Sequence, residues 1–157
     1  MRQAARLIDA FGARAPGDGF GQVRALTQAP SLLVADDDAE VVELLSNYFV
    51  RLGFNVDTAS DGLQAFLKVT RVKPNVLVID VNMPELDGLS VCSHLLDADR
   101  APANVIIITG SKNQHTLRRC ERVGTYHVRK GPEFWKDLDA ALMGIDPLMA
   151  HRIKGAH

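Results

Sequence analysis

The sequence predicts an α/β protein with a doubly wound, five-stranded parallel sheet that has helices on both faces. Two observations predict this fold. Short runs of consecutive aliphatic residues, such as 76–79 and 105–108, are typical of strands buried on both faces. The segments between these runs place apolar residues at helical spacing. Because strands and helices alternate along the chain, we expect the strands to be parallel. Right-handed crossovers between them then put helices on both sides of the sheet.

The first two strand–helix units follow an N-terminal stretch of different composition. Residues 1–30 combine a short amphipathic pattern with a run rich in glycine, so we interpret them as an extension made of a short helix, a flexible linker or both. Gly53 ends the first predicted helix, and Asp61 opens the second. The elements predicted here are strand 32–35, helix 39–52, strand 55–59 and helix 61–73.

The remaining units begin with the central strand, whose apolar run stops at Asp80 before Pro84 and Asp87 supply a turn. The elements predicted here are strand 76–80, a helix from about 88, strand 105–108, helix 113–123, strand 126–130 and a last helix from 132 through 143. Residues 146–157 resemble a C-terminal tail. The folded domain is therefore predicted to span residues 31–145.

Composition excludes several classes of protein. A chain of 157 residues has room for one domain and an appendage, and its net charge of -1 gives no general attraction to nucleic acid or to an anionic membrane. We find no apolar run near the roughly 20 residues that span a bilayer and no secretory signal, so we expect a cytoplasmic protein without membrane insertion. The 2 cysteines lack C-x-x-C spacing, which argues against a disulfide framework or a zinc site.

The candidate functional site lies where the predicted strands end, because these ends converge at one edge of a parallel sheet. The residues at these ends are Asp36, Asp37, Asp80, Thr109 and Lys130. Carboxylates brought this close repel one another, and a hard divalent cation that prefers oxygen ligands, Mg²⁺ best of all, would relieve the repulsion. The Thr109 hydroxyl and the Lys130 ammonium would then contact phosphoryl oxygens, with Asp80 in line to attack phosphorus. The pattern indicates phosphoryl transfer onto a carboxylate.

Two common nucleotide sites are unlike the first strand–helix junction of this chain. Neither G-x-G-x-x-G nor G-x-x-x-x-G-K-[ST] follows the first strand, where the aspartates 36–38 stand instead. Three carboxylates at a helix N-terminus repel phosphate unless a cation intervenes. The sequence therefore argues against a dinucleotide site or a P-loop.

Four separated motifs resemble the receiver domains of two-component response regulators. They are residues 32–38, 76–88, 108–110 and Lys130, in the order and at the spacing of that family. The resemblance covers about residues 31–145 and implies a flavodoxin-like, CheY-like fold for them. It also implies that Asp80 accepts a phosphoryl group from a phosphohistidine with the help of Mg²⁺. The further roles implied are metal binding by Asp36, Asp37, Asp80 and the backbone carbonyl of Asn82, and contact with phosphoryl oxygens by Thr109 and Lys130.

The resemblance implies a conformational switch as well. Thr109 would move toward the new phosphoryl group, and the side chain three residues before the lysine, here His127, would turn inward. The family usually has tyrosine or phenylalanine at that position, so the histidine implies either a weaker aromatic swing or sensitivity to protonation. Tyr126 is the alternative switch ring. The family's Lys-Pro pair, often with a cis bond, is here interrupted by Gly131.

A receiver of this kind is a signalling phosphoacceptor rather than an enzyme with an external substrate, since it catalyses only its own phosphorylation and dephosphorylation. The partners implied are a sensor histidine kinase or a histidine phosphotransfer protein, within a two-component system or phosphorelay, and a downstream protein target. That target would bind the face of the fourth helix, fifth strand and fifth helix. We expect no direct DNA binding, because few residues follow the last helix; a homodimer stays open.

Two alternatives stay open at this point. One is a degenerate receiver that acts as a protein-binding scaffold without being phosphorylated. The other is a haloacid-dehalogenase-like phosphatase, whose pattern of an aspartate, a spacer, a second aspartate and then threonine or valine is only half satisfied by residues 36–40. A set of basic residues could be either a solvated face or a docking surface. Its members are Lys112, Arg118, Arg119, Arg122 and Arg129.

Overall fold

The structure, a computed structural model, describes residues 29–110, 112–122 and 126–156. The strands are β1 (Ser31–Ala35), β2 (Asn55–Ala59), β3 (Val76–Asp80), β4 (Asn104–Thr109) and β5 (Tyr126–Arg129). The helices are α1 (Ala39–Arg51), α2 (Gly62–Val72), α3 (Gly88–Asp97), α4 (Gln114–Arg122), α5 (Phe134–Ile145) and α6 (Met149–Ala156). Nearly all of the extension predicted at 1–30 lies outside the described residues.

The strands form one parallel sheet in the order β2-β1-β3-β4-β5. Strand β1 therefore lies between β2 and β3, and the direction of winding reverses there. Right-handed crossovers on either side of this reversal place helices on both faces of the sheet. The predicted α/β, doubly wound fold class is confirmed.

The strands are apolar on both sides because each side contacts a separate hydrophobic core. In β3, Val76 and Val78 pack with residues of α1 and α5. Their neighbours Leu77 and Ile79 pack with residues of α2, α3 and α4. All four side chains are buried, which explains why the sequence of this strand is uninterrupted rather than alternating.

Aspartates fix the N-termini of the first three helices at the edge where the strands end. Each side chain accepts a backbone N–H of the first turn, an interaction that contributes about 1 kcal/mol. The pairs are Asp38 with Glu40 N at 3.0 Å, Asp61 with Gln64 N at 2.7 Å and Asp87 with Ser90 N at 2.9 Å. These caps anchor the loops that surround the candidate site.

Helices α1 and α5 are joined by a partly buried polar and aromatic contact. The Tyr48 hydroxyl of α1 donates a hydrogen bond to the Asp139 carboxylate of α5. Burial raises the pKa of Tyr48, and the hydrogen bond to Asp139 raises it further. The Tyr48 ring also meets the Trp135 ring edge-on, with 4.8 Å between the centroids. This side of the sheet therefore has a well-connected pair of helices.

The expectation of a C-terminal tail was wrong, because residues 149–156 form the helix α6. Met149 and Ile153 are one helical turn apart and enter the same core as α1 and α5. The Arg152 guanidinium donates to the carbonyl oxygen of Leu52 at 3.2 Å, where α1 ends. This hydrogen bond satisfies one of the carbonyl acceptors that a helix C-terminus leaves unpaired. The apolar pair was visible in the sequence, but the segment is too short to be helical without this packing.

The boundaries of several elements differ from the prediction by one or two residues; helix α5, for example, begins at Phe134 rather than at residue 132. The described residues contain no cis peptide bond, and this includes the bond before Pro132. No helix in the described part of the chain is long and apolar enough to cross a bilayer.

The packing of α6 predicts a specific cost for shortening its buried side chain. Replacing Ile153, which is 7% exposed, with alanine should lower the free energy of unfolding by about 2 kcal/mol because a cavity replaces core contacts. The matched control is Leu148→Ala, since Leu148 is 68% exposed and its loss should cost little. Urea unfolding measures both. Equal, negligible effects would mean that the segment does not pack on the domain.

Candidate functional site

The register of the sheet brings the candidate residues to one edge. Strand β1 ends opposite β3, with Ala35 paired to Ile79, so that Asp36 follows beside Asp80. Asp80 is paired with Ile108 of β4, which puts Thr109 one residue further toward the same edge. Lys130 directly follows β5, and its backbone N–H donates to the Thr109 carbonyl at 2.9 Å. The convergence expected from the sequence is present.

Three carboxylates form a tight group at this edge. Asp36, Asp37 and Asp80 each offer an oxygen, and these oxygens lie within 4.8 Å of one another. Asp36 and Asp80 are buried, at 2% and 3% exposed, whereas Asp37 is exposed. Such proximity in a poorly hydrated setting is unfavourable unless positive charge is supplied.

Lys130 supplies part of this positive charge. Its Nζ lies 3.4 Å from Asp36 Oδ2, with hydrogen-bond geometry, and 3.3 Å from Asp80 Oδ1. Burial acts to lower the pKa of Lys130, but the charges of Asp80 and Asp36 outweigh burial and raise it. The ammonium therefore stays protonated and bridges the two buried acids.

The pKa values of the two buried carboxylates are raised, whereas a stable ion pair would lower them. Burial raises the pKa of Asp80 to about 6, and the charge of Asp36 adds to the increase against the opposing effect of Lys130. Burial also raises the pKa of Asp36, although a backbone N–H from Asp38 and the Lys130 charge partly offset this. A raised carboxylate pKa means that ionised Asp80 is less stable here than in water. The single positive charge of Lys130 therefore does not compensate for all three carboxylates.

The residues fit a bound Mg²⁺ ion. All the donors are hard oxygens, the kind this ion prefers, and buried Asp80 Oδ1, although 3.3 Å from Lys130 Nζ, accepts no hydrogen bond from the described residues. Asn82, whose backbone carbonyl the resemblance adds to the ligands, lies in the loop directly after β3 and is exposed. Asp38 is engaged as the cap of α1 instead. The structure therefore contains an acidic group that could hold such an ion.

The loop between β3 and α3 is held very close to Asp80, a feature that sequence reasoning missed. A Cβ added to Gly88 would lie 2.2 Å from the Asp80 carbonyl oxygen, and one added to Gly62 would lie 1.9 Å from that of Leu86. Glu85 adopts φ 68°, and the N–H of Leu86 donates to the Pro84 carbonyl across it at 2.8 Å. The glycines were visible in the sequence, but only the fold shows which backbone they approach.

The two candidate switch rings lie on opposite faces of β5. Tyr126 contacts α5, because a Cβ added to Gly144 would lie 2.9 Å from its ring. His127 is the next residue along the strand and therefore faces the opposite side, level with Ile107 in the core of α2, α3 and α4. Both side chains are exposed. His127, three residues before Lys130, is thus the candidate ring on the α4 side of the sheet.

The family model that describes the response regulator receiver domain matches residues 32–133 of this chain. This chain belongs to that family. The match includes the acidic group, Thr109 and Lys130, and it ends before α5 and α6. Receiver domains are phosphoacceptor modules of two-component systems.

Relatives of known name share this receiver domain but are longer. The transcriptional regulatory protein PrrA of Mycobacterium leprae is 42% identical over 71 residues, which are 45% of this chain and 30% of PrrA. The alkaline phosphatase synthesis transcriptional regulatory protein PhoP of Bacillus subtilis is 45% identical over 64 residues, 41% of this chain and 27% of PhoP. The matches thus span less than a third of each relative.

Solved receiver structures have the same fold. CheY of Borrelia burgdorferi, in a complex with CheX, BeF3 and magnesium, superposes with a TM-score of 0.66 at 27% identity, over 74% of this chain and 88% of that one. The receiver domain of the Francisella response regulator 1452 gives a TM-score of 0.60 at 28% identity, over 64% and 84%.

The crowded carboxylates predict that removing one charge stabilises the metal-free receiver. Asp80→Asn should raise the free energy of unfolding at pH 7 on the order of 1 kcal/mol, below the roughly 3 kcal/mol implied by a pKa near 6, because Lys130 loses a partner.

The size of this effect depends on the protonation of Asp80. As the pH falls from 7 through about 6 to 4, wild-type Asp80 becomes protonated, so the advantage of the variant should shrink. Thermal unfolding in buffer with a chelator measures it, and Asp97→Asn, an exposed site at the end of α3, is the control. A variant less stable than wild type at pH 7 would contradict the crowding.

Proposed function

We propose that this receiver accepts a phosphoryl group on Asp80 from a phosphohistidine of a sensor histidine kinase or a histidine phosphotransfer protein. The observation that supports the proposal most is the state of Asp80. Its side chain is buried, its Oδ1 accepts no hydrogen bond from the described residues, and its pKa is raised to about 6. Such a carboxylate is stabilised by a bound cation, and phosphoryl transfer would move the negative charge onto phosphoryl oxygens that this cation and Lys130 can neutralise.

The residues of this chain have distinct roles in the proposed transfer. An oxygen of Asp80 attacks phosphorus while the bond from phosphorus to the histidine nitrogen breaks, and the imidazole leaves with the electron pair of that bond. The Lys130 ammonium, already 3.3 Å from Asp80 Oδ1, would then contact a phosphoryl oxygen. Bound between Asp36, Asp37, Asp80 and the Asn82 carbonyl, Mg²⁺ would neutralise charge on the phosphoryl oxygens.

The output of the proposed switch is the surface of α4, β5 and α5. Thr109 is fully buried beside Asp80's strand, and a shift of its hydroxyl toward the phosphoryl group would vacate space on the α4 side of β5. His127 faces that side, so it is the better placed of the two candidate rings to fill the space. A downstream protein would read the change on this surface.

Exposed cations mark part of the same surface. They are Lys112, Arg118, Arg122 and Arg129, and none of them takes part in an ion pair among the described residues. This supports a partner rather than a purely solvated face.

Absence of direct DNA binding remains our prediction, and a homodimer remains open. PrrA and PhoP are transcriptional regulators, but they extend well beyond the matched receiver.

The haloacid-dehalogenase-like alternative is less well supported. That chemistry needs Asp36 as nucleophile and Asp38 as a second acid facing the substrate. The Asp38 carboxylate instead accepts the backbone N–H groups of Glu40 and Val41 as the cap of α1. A receiver used only as a scaffold would leave the buried charges at Asp36 and Asp80 without a function.

The proposal predicts that Asp80 alone carries the label. With a small phosphodonor such as acetyl phosphate and Mg²⁺, wild type should gain one phosphoryl group by intact mass and lose it in hydroxylamine, as an acyl phosphate does. Asp80→Asn should abolish the label, because an amide oxygen is a far weaker nucleophile.

Asp38→Asn is the matched control, since this neighbouring acid caps α1 and should leave labelling intact. Magnesium-independent labelling, or a label that persists in Asp80→Asn, would contradict the proposal. No labelling of wild type at all would favour the scaffold. Turnover of a phosphate ester that survives Asp80→Asn but not Asp36→Asn would favour the phosphatase.

A further inference from the structure

Arg119 of α4 forms an ion pair with the loop that follows the phosphoacceptor. Its Nη2 lies 3.7 Å from Oδ1 of Asp87. This is the ion pair that ties α4 to another element within the described ranges. Neither residue has a role in the chemistry proposed above, so the contact calls for a separate explanation.

Asp87 is itself firmly placed. Its Oδ1 accepts the backbone N–H of Ser90 at 2.9 Å, and its Oδ2 accepts the Ser90 hydroxyl at 3.0 Å. The carboxylate is thereby fixed at the N-terminus of α3, where the helix dipole favours negative charge. Arg119 therefore pairs with a carboxylate whose position is fixed by two hydrogen bonds.

The next residue transmits any movement of Asp87 to the phosphoacceptor. Gly88 packs so closely on the Asp80 carbonyl that a Cβ there would lie 2.2 Å from its oxygen. The Gly88 N–H also donates to the Val81 carbonyl at 2.9 Å, which closes the loop on itself. A displacement of Asp87 must therefore shift the backbone that carries Asp80 or break these contacts.

Helix α4 has little else to hold it in place. Its buried residue among those described is Cys120, which enters the core next to α3. Burial raises the pKa of Cys92 in α3 to about 12, with further contributions from Cys120 and Asp87, which agrees with the closeness of these groups. A helix with so narrow a contact is easily biased between positions.

We propose that Arg119 is a positioning residue, which couples the place of α4 to the geometry of the phosphoacceptor loop through Asp87. The inference rests on the proposed phosphoacceptor role of Asp80. With the pair formed, the loop that carries Asp80 and Asn82 is held ready for the cation. Because such coupling is reciprocal, cation binding also strengthens the hold on α4. This connection is separate from the one through Thr109 and His127.

The size of the effect follows from the exposure of the pair. The side chains of Arg119 and Asp87 are 38% and 40% exposed, so water and salt weaken their attraction. Breaking an ion pair of this kind changes a coupled equilibrium by about twofold to fivefold. The expected consequence is a tuned affinity, not a loss of function.

The test compares two arginines of the same helix. Arg119→Gln should weaken Mg²⁺ binding, measured by calorimetry on the full chain, and slow labelling by acetyl phosphate by about twofold to fivefold. Arg122→Gln removes the same charge one turn away, at a residue without an ion pair among those described. Arg122 lies on the proposed partner surface, but neither assay contains a partner protein, so this variant should change neither readout. Arg119→Lys should restore most of both, and the differences should shrink in high salt.

A double-mutant cycle with Asp87→Asn decides whether the two residues act together. The effects of Arg119→Gln and Asp87→Asn should be clearly non-additive on Mg²⁺ affinity. Additive effects, or equal behaviour of Arg119→Gln and Arg122→Gln, would overturn the proposal. If wild type binds Mg²⁺ but takes no label, the proposed function fails, while the Mg²⁺ affinities still decide the role of Arg119.

Discussion

The structure depends on holding two buried carboxylates, Asp36 and Asp80, side by side where neighbouring parallel strands end. No hydrophobic gain compensates for this arrangement directly, and the Lys130 ammonium offsets it only in part, as the raised pKa values of both acids show. The surrounding fold must therefore enforce it. Two cores, one on each face of β3, fix the strand, and its backbone presents Asp80 at the edge.

Helix α4 is held less strongly than the helices on the opposite side of the sheet. On one side, α1 and α5 share the bond between Tyr48 and Asp139, and α6 closes their far ends. On the other side, α4 contributes little buried surface and contacts the loop after β3 through Arg119. Elements that move in signalling come from the less stable parts of a fold, so a change in charge at Asp80 is expected to act mainly on α4.

Much of this could be predicted from the sequence, for identifiable reasons. The uninterrupted apolar run before Asp80 predicts a strand buried on both faces, and alternation with helical segments then determines the class of sheet. Residues at strand ends meet because parallel strands end together, which is how Asp36, Asp80, Thr109 and Lys130 were found. Helix α6 was missed because its stability comes from burying Met149 and Ile153, not from its local sequence. The closeness of Gly88 to Asp80 and the pairing of Arg119 with Asp87 depend on tertiary approach, which no local pattern encodes.

The central claim is that the acid group binds one divalent cation and loses a proton when it does so. Calorimetry of Mg²⁺ binding near pH 6, in two buffers of different ionisation enthalpy, tests it most directly, because Asp80 with a pKa of about 6 is then partly protonated. The account predicts one saturable site per chain, release of a fraction of a proton, and tighter binding at pH 7 than at pH 5. Weak, non-saturable binding, or an affinity that does not change with pH, would contradict it.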